Sequence, residues 1–177
     1  MQVGAPSAVA TVPGEVQHLT VETITDEAAF LQLEHEWDEA VERARIAHPF
    51  LCHDWLRTWW ECFGHGAQLH IVVVRAAGQI TAIAPLLFER TRMYGVPVRR
   101  LRFLQNDHSP RADFIVADHG LQSYHAIWTA LFHDRHNWDV LVLSQLPPDT
   151  STIQSMTEFA AAAGSASMTH TATTSAP

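Results

Sequence analysis

Lysine is missing altogether: all eleven basic side chains are arginine, set against nineteen acids for a formal charge of −8 with histidine neutral. That balance excludes a general nucleic-acid binder, whose footprint is basic. No run approaches the roughly 18 apolar residues of a membrane helix, and Met1 to Val16 lacks a basic segment followed by an apolar one. A cytoplasmic protein with no membrane role is expected. Cysteine is scarce too: Cys52 and Cys62, ten residues apart, match no common zinc pair and cannot build a disulfide framework. They read as inert thiols in a reducing compartment.

What is present is a core-forming composition, 47% hydrophobic and 17% charged, with length for one domain. Twelve histidines stand out. Protonating all of them shifts the balance to 11 + 12 − 19 = +4, so mild acid reverses the sign of the surface.

Residues 1–16 are small, polar and aperiodic, and 165–177 are rich in Ser, Thr and Ala; both ends are expected to be loose around a domain spanning 17–164. Inside it, strands and helices alternate, which predicts an α/β fold. His18 to Ile24 reads as a strand feeding a helix capped at Thr25 and Asp26, with Phe30, Leu33, Trp37, Val41 and Ala44 on one face. Leu56, Trp59, Trp60 and Phe63 give a second helix closed by Gly64. Leu69–Arg75 and Ile80–Phe88 form a hairpin at the centre of the sheet, interrupted at Pro85, which cannot donate to a ladder. Strands follow at Arg99–Gln105 and Asp113–Ala117, then a helix over Leu121–His136 and a buried strand over Trp138–Ser144. Ser151 and Gln154 suggest a capping box opening the last helix.

Several strings in this order resemble one family. They are Pro49-Phe50-Leu51 with Trp55-Leu56, Trp59-Trp60 and Phe63-Gly64; Ala82-Ile83-Ala84-Pro85-Leu86; Leu101-Arg102-Phe103-Leu104; Asp113-Phe114-Ile115; and Trp138-Asp139 leading to Leu146-Pro147. The chain resembles, over residues 18–164, the N-terminal lobe of GNAT-superfamily acetyltransferases of the cellulose-biosynthesis (CelD-like) type, similar in turn to FemAB-like transferases. The resemblance implies a mixed, largely antiparallel sheet flanked by about four helices, as part of a two-lobe architecture whose second lobe binds acetyl-CoA or another acyl-CoA. It implies acyl transfer to a small-molecule, sugar or peptide acceptor. A GNAT cofactor loop, of the Gln/Arg-x-x-Gly-x-Gly/Ala kind, offers backbone N–H groups to a diphosphate. The two candidate turns here, Gln105 to Pro110 and Asp118-His119-Gly120, carry no glycine and one glycine respectively, and each carries an acid. No cofactor-binding residues are therefore expected. The chain is expected to be a truncated, non-cofactor lobe, inactive alone; the alternative is a non-catalytic assembly module that pairs with a second GNAT lobe or a second copy.

Asp107, His108 and Asp113 are the candidates for acid/base work, because a carboxylate near a histidine fixes its tautomer; a polar turn explains the same residues. Trp55 and Trp59 are candidate acceptor-binding residues, or else core at helical spacing. Six arginines between Arg90 and Arg111, Arg100 and Arg102 among them, make a basic strip. It can meet an anionic acceptor, pair with the eight acids between Glu22 and Glu42, or simply be solvated. His133 and His136 share a helix end, but no metal site is expected.

Overall fold

The computed structural model describes residues 18–106 and 108–171. Strand β1 (Leu19–Ile24) leads into α1 (Glu27–Gln32) and α2 (Glu34–Arg43), followed by a 3₁₀ turn (Pro49–Leu51) and α3 (His53–Phe63). Strands β2 (Gln68–Leu69), β3 (Ile71–Ala76), β4 (Gln79–Ala84), β5 (Leu86–Met93), β6 (Val96–Phe103) and β7 (Ile115–Val116) come next. Helix α4 (Gly120–His133), β8 (Val140–Val142) and α5 (Ser151–Ala162) complete the order.

Two four-stranded sheets result, β1-β3-β4-β7 and β2-β5-β6-β8, in which every pairing is antiparallel except β6 with β8. The sheets share their chain. One strand runs through β2 and β3 and its partner through β4 and β5, and the partner breaks at Pro85, which has no N–H to give. The bend is pinned from both sides, by His70 N donating to Leu86 O at 3.0 Å and Leu104 N donating to Pro85 O at 2.9 Å.

The apolar run Ile71 to Val74 is continuous because both of its faces are covered. Ile71 and Val73 pack with Phe30, Trp37 and Leu56 from α1, α2 and α3, whereas Val72 and Val74 pack with Ile127 and Leu131 of α4 and with Met156 of α5. The domain is thus three layers, helices on each side of the strands. Arg75 ties β3 to β1 and α2, donating to Glu22 at 2.9 Å and to Glu36.

Four local readings need correction. The first helix is broken at Leu33, so five α-helices form rather than four. Helix α5 is capped by Thr150, whose hydroxyl accepts from Thr152 N at 3.2 Å, while Gln154 reaches forward to Glu158 instead of closing a box. Strand β8 is half-buried at a sheet edge, not central. The arginine strip is answered locally: Glu89, one residue upstream of it, accepts from Arg100 at 2.8 Å and Arg102 at 3.0 Å across the β5–β6 ladder, and Asp139 accepts from Arg99 at 2.8 Å. The acids between Glu22 and Glu42 are instead reached by Arg75.

Candidate functional site

The feature that gathers polar side chains is a detour in the strand beside β4 and β5. Leu104 bonds opposite Pro85 and Ile115 pairs with Ile83, so residues 105–114 are looped out opposite the single residue Ala84. The detour is anchored at Gln105, Ser109, Ala112 and Phe114, all buried. It fills the space where β6 and β8 part, with Ala112 N donating to Gln145 O at 3.1 Å and Gln105 Nε2 donating to Ser144 Oγ at 2.9 Å.

One side of the detour faces α3. There a half-open cleft of about 440 Å³ is lined by Trp55, Trp59 and Phe63, with Asp54, Thr58 and His108 among its polar groups. The aromatic walls are fixed from behind. Trp55 Nε1 donates to Ser109 Oγ at 3.0 Å, Phe50 meets the Trp55 ring edge-on at 5.0 Å, and the Arg102 guanidinium lies 5.7 Å from the centre of the Trp59 ring. Phe63, 49% exposed, stacks on His108 at 5.6 Å. Helix α3 is itself anchored, since Asp38 accepts from His53 N at 3.0 Å and the buried His53 ring donates from Nε2 to Phe30 O at 2.9 Å. Cys52 and Cys62 also line the cleft, and neither is buried, contrary to the reading of both as interior thiols. Burial, then Asp38 and Asp54, push the Cys52 thiol up, which keeps it protonated.

The other side of the detour carries Asp113. Its carboxylate accepts from Thr150 Oγ1 and Thr152 Oγ1, both at 2.5 Å, and from Phe114 N at 2.8 Å; Thr152 also reaches Tyr124 Oη at 3.3 Å. Burial holds the Asp113 carboxyl above its usual range and raises the Tyr124 hydroxyl. His48, whose Nδ1 is buried without a partner, is lowered by burial and by Arg111. Perturbed groups gathered in one place mark a functional candidate, although Thr150 and Thr152 also explain the carboxylate as a structural anchor.

The predicted residues are therefore divided. Trp55, Trp59 and His108 share the cleft; Asp113 lies with α5; Asp107 lies outside the described residues. Among the described residues no hydrogen bond joins His108 to Asp113, so the proposed carboxylate–imidazole pair is not formed by these two. Arg102 backs the cleft through Trp59, while Arg100 is taken up by Glu89. Sequence reading missed Thr150, Thr152, Tyr124 and His48, which no spacing rule connects. A second groove, about 410 Å³ between α4 and α5, takes in His133 but none of the predicted acid/base or acceptor residues; among the described residues no metal-holding cluster is present.

Neither a family model nor a curated protein matches the sequence. Among solved structures, a GNAT family acetyltransferase from Staphylococcus aureus gives a TM-score of 0.48 at 10% identity over 89% of this chain and 98% of that one. The aminoglycoside N-acetyltransferase AAC(6')-Iy in complex with CoA gives 0.47 at 11% identity, over 93% and 99%. A ribosomal-protein-alanine N-acetyltransferase from Brucella melitensis biovar Abortus 2308 superposes with a TM-score of 0.56 at 12% identity, over 89% of this chain and 98% of that one. The fold is GNAT-like.

In a GNAT-like fold the turn that opens α4 is the one to test against acyl-CoA. His119 sits there at φ 57° and Gly120 at φ 25°, with no side chain capping the helix. Asp118 contributes a carboxylate 3.4 Å from Arg43 Nε, and that guanidinium also donates to Ile80 O at 2.5 Å. A diphosphate needs successive free N–H groups with no anion beside them. With one glycine, an acid in the turn and its neighbouring arginine already engaged, these residues do not fit the group.

Proposed function

We propose that this chain is a GNAT-like acetyltransferase domain of the CelD-like type that supplies the acceptor side of acyl transfer, the acyl-CoA being held by a separate lobe, and that it is inactive by itself. The observation that carries this reading is the turn Asp118-His119-Gly120, whose charge and residue types oppose a diphosphate. Acceptor binding belongs to the cleft under α3, with Trp55 and Trp59 as its walls and Arg102 behind them. Calorimetric titration with acetyl-CoA at millimolar concentration tests the proposal: no heat is expected, and saturable binding with turnover of any amine would end it.

A second reading is favoured by one observation. Strand β8 bonds to β6 alone among the described residues, and Val140 to Val142 carry no charge, so its free edge is a template for another strand. In this reading the edge joins a second lobe or copy. Light scattering across a concentration series distinguishes it, a constant monomer mass ruling out the second copy.

A further inference from the structure

We infer that the cleft under α3 recognises a quaternary ammonium group. The inference rests on the cleft being the ligand-binding half of the proposed function, and it names the chemistry recognised there.

The walls are Trp55, Trp59 and Phe63, three aromatic rings whose faces attract cations. Asp54 is the one carboxylate in the lining, and no arginine lines it. Its side chain is 69% exposed and is paired at 3.0 Å with Arg57 three residues on. An exposed pair at that spacing is held weakly, so a ligand cation can replace Arg57 at small cost. An anion would meet Asp54 with no compensating base, in a chain whose net charge is already −8.

Between kinds of cation the lining also discriminates. A primary ammonium carries three N–H donors and loses their water partners on entering. The lining offers it little in return, since Asp54 already accepts from Arg57 and the remaining polar side chains are the Thr58 hydroxyl and the His108 ring among carbon and sulfur. A quaternary head has no N–H to satisfy and presents only methyl groups to the rings. Sugars, dense in hydroxyls, fare worse than either, because Trp55 Nε1 is committed to Ser109 and Trp59 Nε1 is sealed from solvent. The volume suits a small ligand. The walls are set before binding by Ser109, Phe50, Arg102 and His108, so little ordering cost falls on the ligand.

Tryptophan fluorescence and ligand NMR line-broadening, with choline, its uncharged isostere 3,3-dimethylbutan-1-ol and ethanolamine as probes, test this on the whole chain without acetyl-CoA. Choline is expected to bind about tenfold more tightly than either other probe. Phe63→Ala, at an exposed position, is expected to weaken choline about fivefold and Asp54→Asn about threefold, with near-UV circular dichroism unchanged. Equal binding of the alcohol, tighter binding of ethanolamine, indifference to both substitutions, or no choline binding up to about 50 mM overturns the inference. Heat from acetyl-CoA in the separate titration overturns the proposed function and leaves the choline result standing.

Discussion

Replacing Asp113 separates the two roles its position allows. Asp113→Ala removes the acceptor for the hydroxyls of Thr150 and Thr152 and for Phe114 N, of which Thr152 and Phe114 are buried. A buried donor left unpaired costs about 1–3 kcal/mol, and Tyr124 can recover part of the Thr152 bond, so a loss of about 2–4 kcal/mol is expected. Asp113→Asn keeps the shape and an acceptor oxygen, so its cost at neutral pH should stay within about 1 kcal/mol either way. The pH dependence is the sharper test. Burial raises the folded-state pKa of Asp113. Its contribution to stability is therefore complete below the unfolded value of about 3.9 and falls as pH rises through the folded value. Between pH 4 and pH 7 the Asn variant should gain on the wild type, measured as the difference in urea midpoints at constant ionic strength. If the wild type gains on the variant across that window, the two hydroxyls and the N-terminus of α5 outweigh burial and the reasoning fails.

Glu89 behaves oppositely: burial raises its carboxyl, but the hydrogen bonds from Arg102 and Arg100 outweigh burial and hold it below the usual range. Its stabilisation is present above the unfolded value of about 4.3 and is lost on acidification, so Glu89→Gln should cost about 1–3 kcal/mol at pH 7 and progressively less towards pH 3 in urea melts. At Gly64 a Cβ would fall 2.5 Å from the Trp60 ring and 2.6 Å from its carbonyl, so Gly64→Ala should lower stability by about 1–3 kcal/mol, with a changed near-UV signal from Trp60. An unperturbed midpoint would mean that the end of α3 is looser than its packing implies.

Much of the layering was legible because it rests on periodicity. The unbroken run through β3 announced a strand covered on both faces, and Pro85 announced the break between sheets. Asp26 announced its helix, accepting from Ala29 N at 3.0 Å. The site was legible only in part. Trp55, Trp59 and Phe63 read as one helical stripe, yet the stripe straddles two environments: Trp59 is 4% exposed while Phe63 stands out over His108. Helical spacing shows that residues share a face and says nothing of what that face meets. Asp113 and its threonines are separated by 37 and 39 positions and meet only because the chain detours between β6 and β7. Glu89 lay just outside the arginine strip, and its role depends on cross-strand register, which a linear reading does not supply.

Both feet of that detour are stitched beside one another on the same strand, by Leu104 to Pro85 and Ile115 to Ile83. Lengthening or shortening the segment between them leaves every flanking strand in its existing alignment. The molecule thus possesses a region where new recognition surfaces can be grafted while its architecture goes untouched, and diversification among its kin should concentrate there.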